Sequence, residues 1–138
     1  MESRVLAIDY GERRIGISIS DPTNLFATTL DTIENSKDSI KKIAEITEAY
    51  SVKLILVGYP LNMNGTPSKL CSLIDEFIDE MQKLVNIQII RRDERLSSYT
   101  AQKKILETVK SKKRRRDKSL IDKFSAATIL QDYLDEKN

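Results

Sequence analysis

The chain has 138 residues, the length of one domain that can bury a core without disulfides or structural metals. It contains no histidine and one cysteine, Cys71, which excludes hydrolases built on Ser-His-Asp or Cys-His, histidine-ligated zinc sites and any internal disulfide. No run is apolar enough to span a membrane and no signal peptide is recognisable, so we expect a single domain over residues 1–138 in a reducing cytoplasm.

Positive charge is concentrated in one stretch. The formal net charge of the chain is +2, but residues 110–118, the basic segment, hold seven cations and one anion, so this segment carries +6 and the rest of the chain −4. Dense Lys and Arg on an acidic body are typical of a protein that contacts a polyanion. The alternative is a solvated basic loop without a partner.

The first third of the chain predicts three consecutive strands, at residues 4–9, 13–20 and 27–33. An apolar run before Asp9 indicates a strand buried on both faces, and Gly11 supplies the permissive backbone of the following turn. In the second strand isoleucines alternate with glycine and serine, which predicts a sheet with one face on a core. The short connections favour antiparallel pairing. Asp9 itself is either a functional carboxylate or a turn-initiating residue that bonds its own backbone.

The remainder predicts helices alternating with strands. Helices are expected over residues 36–50, over 66–84 starting at Thr66-Pro67, from Ser97 or Ser98 onward, and over 119–134. Strands are expected at residues 54–57 and 87–90. The order indicates an α/β fold with a five-stranded mixed sheet, in which three antiparallel strands are followed by parallel strands, flanked by helices.

Sites in such sheets gather at the carboxyl ends of the parallel strands, where Asp9, the loop after Tyr59, and Asp93-Glu94 all fall. Asp122 adds a fourth acid, because on a helical wheel it lies within the apolar stripe of the last helix. A carboxylate on an inward face is costly unless it is paired or binds metal. The alternative for Asp122 is a partly exposed acid at the rim, paired with an arginine.

Three converging carboxylates would repel one another unless cations neutralise them. Oxygen ligands suit hard divalent cations such as Mg²⁺, which also takes phosphate oxygens. Two such ions, about 4 Å apart, can activate a water and stabilise the leaving oxygen of a phosphodiester. Without histidine, bound metal is the reasonable source of a nucleophile.

Four motifs in this order resemble the YqgF family, the RuvX-like proteins, and the resemblance spans nearly the whole chain. The motifs are Asp9-Tyr-Gly with Arg13-Arg-Ile-Gly, the loop from Val57-Gly-Tyr-Pro to Asn64-Gly-Thr66, Asp93-Glu-Arg-Leu-Ser-Ser98, and Asp122 followed by Ala126-Ala127 and Ile129-Leu-Gln131. The resemblance implies a ribonuclease H-like fold and a Mg²⁺- or Mn²⁺-dependent nuclease acting in 5′-end maturation of pre-16S rRNA. Family members are also described as Holliday junction resolvases.

The resemblance implies that Asp9, Glu94 and Asp122 are the catalytic, metal-binding acids. Asp93 belongs to the same motif, and because neighbouring strand residues face opposite ways, we expect only one of the pair to point inward and favour Glu94.

Cationic residues are the candidate nucleic-acid contacts: Arg13, Arg14, Arg95, Lys112, Lys113, Arg114, Arg115 and Arg116. Of these, Arg13 and Arg14 lie on opposite faces of a strand, so one is expected to be structural, and Arg95 could instead neutralise Asp93.

The expected partner is structured RNA, with four-way DNA junctions as the alternative, and the protein is expected to be a monomer or a homodimer. A module that binds nucleic acid without cutting it, and a sugar-kinase-like or actin-like ATPase, are further alternatives. The latter needs two such domains around a nucleotide cleft, whereas this chain has the length of one.

Overall fold

The computed structural model describes residues 3–93 and 118–138, with side chains of the last helix described from Ala126 onward. The strands are β1 (Arg4–Tyr10), β2 (Arg14–Ser20), β3 (Ala27–Thr29), β4 (Ile33–Glu34), β5 (Val52–Tyr59) and β6 (Gln88–Asp93). The helices are α1 (Ser39–Ala49), α2 (Lys69–Leu84) and α3 (Lys118–Lys137). The helix expected after Ser97 or Ser98 and residues 110–117 of the basic segment lie outside the described residues.

The strands form one mixed sheet in the order β3-β2-β1-β5-β6, and β4 also pairs with β2. β1 is antiparallel to β2, whereas β5 is parallel to both β1 and β6. The predicted topology is therefore confirmed, except that the third predicted strand is two short strands. The chain separates from β2 after Thr29 and pairs with β2 again at Ile33. Asp31, a residue type that favours turns, lies between the two paired stretches.

Each face of the sheet carries its own core. On one face, Leu6, Ile8 and the isoleucines of β2 pack with α1 and α2. On the other face, Val5 and Ala7 pack with α3, whose buried residues there include Ile129, Leu130 and Leu134. We name these the α1/α2 face and the α3 face. The fold is thus a three-layer α/β/α arrangement around a central strand pair that is apolar on both sides.

The alternation in β2 predicted one face on a core, and the structure buries both faces. Ser18 and Ser20 are both fully buried, on the face that α3 covers. Their hydroxyls are satisfied inside the protein: Ser18 Oγ donates to Thr28 O at 2.9 Å, and Ser20 Oγ donates to Asn24 Oδ1 at 2.6 Å and accepts from Val5 N at 2.8 Å. Small side chains with internal partners can be buried without a large penalty, so alternation of polar residues did not signal exposure.

Two helix starts differ from the prediction. The first helix begins at Ser39 rather than at residue 36, and α2 begins after Ser68 rather than at Thr66-Pro67. The second difference arises because Asn62 N donates to Thr66 O at 2.8 Å and Pro67 bridges to Leu61, so this stretch closes the preceding loop. Among the helices that the structure describes, none combines the length and apolar character needed to cross a bilayer.

Candidate active site

Asp9 lies at the carboxyl end of β1 and is only 6% exposed. Because side chains alternate along a strand, and Val5 and Ala7 belong to the core under α3, Asp9 points to the α3 face. A buried acid on a central strand differs from a turn-initiating surface aspartate, which would lie in solvent. This placement favours the functional interpretation of Asp9.

Glycines flank Asp9 on both neighbouring strands. Gly16 of β2 is directly opposite Asp9 in the antiparallel ladder. On the other side Ile8 pairs with Val57, so Gly58 of β5 follows at the level of Asp9. Both neighbours are glycines, so no side chain of β2 or β5 stands directly beside Asp9 in the ladder on the α3 face. Sequence analysis missed this arrangement, although both glycines stand in motifs that it singled out.

Gly11 follows Asp9 in the turn, and its expected role needs correction. Among the described glycines only Gly65 has a positive φ, of 91°, so Gly11 does not supply a left-handed conformation. Gly11 is required here because no side chain fits: a Cβ built on it would lie 2.5 Å from the carbonyl oxygen of Arg14. The backbone itself fills the place that a side chain would need.

At the end of β6 successive side chains point alternately to the α1/α2 face and to the α3 face. Arg91 Nε donates to Asp75 Oδ1 on α2 at 2.9 Å, whereas Arg92 forms a 2.8 Å ion pair with Glu136 on α3. The next residue, Asp93, pairs with Tyr59 in the ladder and therefore returns to the α1/α2 face, away from Asp9. Glu94 lies outside the described residues.

Asp122 lies in the described backbone of α3, and its side chain is outside the described part. It precedes Ala126 by four residues, and the same helical stripe continues through Leu130 and Leu134, all of them buried. The helix that carries Asp122 thus packs on the same face of the sheet as Asp9.

Arg13 and Arg14 lie in the turn and the first position of β2, beside a surface cleft of about 480 Å³ that Glu34 and Asn35 also line. Arg14 shares the face of Gly16, and hence of Asp9, and is diagonal to Asp9 in the ladder, where such pairs lie about 7–8 Å apart. Arg13 is exposed, and its carbonyl accepts from Asn35 N at 2.8 Å. Neither guanidinium forms an ion pair with a residue that the structure describes. Arg95, Lys112, Lys113, Arg114, Arg115 and Arg116 fall outside that part of the chain.

Within residues 3–93 and the described side chains of α3, no three His, Cys, Asp or Glu residues are close enough together to hold a metal ion. Only Asp9 of the three predicted ligands has a described side chain. The donor chemistry of Asp9 suits a hard cation, because it is a carboxylate at the end of a central strand with glycines as its two neighbours in the ladder.

Solved structures identify the fold. T. thermophilus RuvC in complex with a Holliday junction substrate superposes with a TM-score of 0.59 at 11% identity, covering 98% of this chain and 95% of that chain. The Fowlpox virus resolvase in complex with Holliday junction DNA gives 0.54 at 14% identity, covering 97% and 98%. The chain therefore has the ribonuclease H-like fold that its motifs predicted.

Sequence comparison then identifies the family. A family model described as RuvX, Holliday junction resolvase, matches residues 3–136. A protein of Ruminiclostridium cellulolyticum named "Putative pre-16S rRNA nuclease" is 44% identical over 137 residues, which cover 96% of this chain and 94% of that protein. A protein of Acetivibrio thermocellus with the same name is 44% identical over 140 residues, covering 97% and 96%. The chain belongs to the RuvX family, and the predicted class, a nuclease, is that of the family.

Proposed function

We propose that this protein is a divalent-metal-dependent nuclease that cleaves phosphodiester bonds of structured RNA in 5′-end processing of pre-16S rRNA, in the cytoplasm. The observation that carries the proposal is the buried Asp9 at the carboxyl end of β1, with glycines on both sides and the Asp122-bearing helix above it. The names of the curated relatives support the choice of substrate.

Asp9, Glu94 and Asp122 would hold Mg²⁺ or Mn²⁺ in a two-metal site. The described end of β6 supports Glu94 over Asp93, since Asp93 lies on the α1/α2 face, away from Asp9. Bound there, the cations would lower the pKa of a water and stabilise the leaving oxygen. The chain contributes a rigid, water-poor setting for one ligand, because Asp9 is fixed by a strand that is buried on both faces.

We assign substrate binding to cationic side chains. Arg14 on the Asp9 face is the better placed of the two turn arginines to meet a phosphate beside the cleavage site. Arg95 and the residues from Lys112 to Arg116 would add backbone contacts that are independent of base sequence. The local charge of +6 on a body of −4 supports this division of roles.

The test of cleavage is a pre-16S rRNA 5′ fragment incubated with Mn²⁺ or Mg²⁺. Asp9→Asn removes a charged ligand and should lower the rate at least about 100-fold. Asp38→Asn is the matched control, because Asp38 is an exposed aspartate at the start of α1, and it should leave the rate unchanged. Full activity of Asp9→Asn would refute the proposed site.

The test of substrate grip is the salt dependence of RNA binding. Replacing Lys112 and Lys113 by alanine should weaken binding and reduce the slope of log affinity against log salt by about 1–2. Lys41→Ala with Lys42→Ala, two neighbouring exposed lysines on α1, is the control with the same change of net charge. An equal effect of the two double variants would show that net charge, rather than the basic segment, governs binding.

A Holliday junction resolvase is the second candidate, and the description of the family model favours it. Resolving a four-way junction takes two cuts, so this function requires two copies of the site and predicts a homodimer. Cleavage of junction DNA and of the rRNA fragment should be compared side by side, with molar mass measured by light scattering. Preferential junction cleavage by a dimer would overturn the rRNA assignment, and tight binding without cleavage of either would indicate a binding module.

A further inference from the structure

One carboxylate on α2 connects the ends of two neighbouring strands. Asp75 Oδ2 accepts a hydrogen bond from the Tyr59 hydroxyl at the end of β5, at 3.0 Å, and Asp75 Oδ1 accepts one from Arg91 Nε near the end of β6, at 2.9 Å. The Arg91 guanidinium also lies over the Tyr59 ring, 5.7 Å from its centroid. We name these three residues the Asp75 cluster.

The Asp75 cluster lies behind the candidate active site. Tyr59 directly follows Gly58, which is level with Asp9 in the neighbouring strand, and Arg91 precedes Glu94 by three residues. Because Tyr59 and Arg91 face α2, whereas Asp9 faces α3, the sheet itself separates the cluster from the Asp9 side chain. It can influence the Asp9 side only by fixing the backbone of the two strand ends.

Global stability does not account for the cluster. The side chains of Arg91 and Asp75 are 41% and 43% exposed, and an ion pair so exposed adds little to folding. Its geometry is nevertheless specific, because two different donors are held by the two oxygens of one acid. Partial burial and the adjacent Asp75 carboxylate raise the pKa of Tyr59 to about 12, so the phenol remains a donor at any pH used for assays.

We propose that Asp75 is a positioning residue that holds the carboxyl ends of β5 and β6 in register beside Asp9 and thereby sets the cation affinity of the Asp9 site. This inference rests on the proposed function, since it concerns the same cation site. A displacement of about 1 Å among catalytic groups can lower the rate about 100-fold. A weak contact that only fixes the backbone can therefore have a large effect on the cleavage rate.

The test measures Mn²⁺ binding by calorimetry on the full chain, with Mn²⁺ alone as the probe. Asp75→Ala should weaken Mn²⁺ binding about tenfold, the lower end of the loss when groups that orient metal ligands are removed. Tyr59→Phe, which removes one hydroxyl, should weaken it less and in the same direction. Glu80→Ala is the control, because Glu80 is another acid of α2 in an exposed pair, with Lys83 at 3.2 Å; it should bind Mn²⁺ like the wild type.

Single-turnover cleavage and RNA affinity complete the test. The cleavage rate of Asp75→Ala should fall about tenfold with RNA affinity unchanged, since the basic segment is untouched. A wild type that binds no Mn²⁺ would refute the proposed site itself. A wild type that binds Mn²⁺, with Asp75→Ala equal to Glu80→Ala, would overturn the positioning role alone, and so would a loss of RNA affinity that matches the loss of rate. If Asp75→Ala fails to fold by circular dichroism, unchanged Mn²⁺ affinity in Tyr59→Phe would overturn the proposal.

Discussion

Replacing Gly11 by alanine tests whether the turn after Asp9 is set by space rather than by backbone conformation. The new Cβ would lie 2.5 Å from the Arg14 carbonyl oxygen, a distance that real Cβ atoms essentially never show. The obstacle is main chain, so relief requires the turn to open by several tenths of an ångström. Overpacking of this kind costs about 1–3 kcal/mol. For a domain of this size, 2 kcal/mol corresponds to a fall in Tm of roughly 5–10 °C.

The same displacement should reach the candidate site, because Gly11 is two residues from Asp9 and Arg14 is diagonal to it. We therefore expect cleavage by Gly11→Ala to fall about tenfold or more below 25 °C, where the variant is still folded. Urea unfolding measures the stability, and single-turnover cleavage of the rRNA fragment measures the rate.

The control is Glu12→Ala at the neighbouring exposed position, which already carries a Cβ and should lose neither stability nor rate. A Gly11→Ala variant as stable and as active as Glu12→Ala would refute the steric argument. Loss of stability with full cleavage would show that the turn is not coupled to Asp9.

Three further predictions concern the scaffold. Hydrogen bonds from the Thr23 hydroxyl and from Phe26 N lower the pKa of Asp21 from 3.8 to about 2. The contribution of Asp21 to folding stability is therefore present above pH 3.8 and is lost as the pH falls toward 2. In Asp21→Asn, folding stability should depend less on pH in that window, measured by circular dichroism. Gln131→Ala removes the side-chain acceptor of Ala27 N, at 2.9 Å, and should lower the free energy of unfolding in urea by about 1–2 kcal/mol. Asp132→Ala is the comparison, because it leaves this hydrogen bond intact. Met81→Ala empties a fully buried position in the α1/α2 core and should cost about 2–5 kcal/mol, and a cost below 1 kcal/mol would contradict the packing.

Features that depend on neighbours along the chain could be predicted from the sequence. The apolar run before Asp9 and the one before Gly58 indicated central buried strands, and α2 followed from its helical periodicity, because burial imposes those periods directly on the residue order. The motif order likewise led to the family. The prediction of a single domain over residues 1–138 stays a prediction, as do the roles of Asp9, Glu94, Asp122 and the cationic residues.

Features that depend on pairing between distant residues required the tertiary structure. Only the ladders show that Gly16 and Gly58 stand on either side of Asp9, and that Asp93 faces away from it. The serines of β2 looked exposed because their internal partners lie on other strands and loops. The Asp75 cluster joins three separate elements, and no local pattern marks it. Periodicity along the chain records which residues are buried, whereas the packing of elements decides what each of them meets.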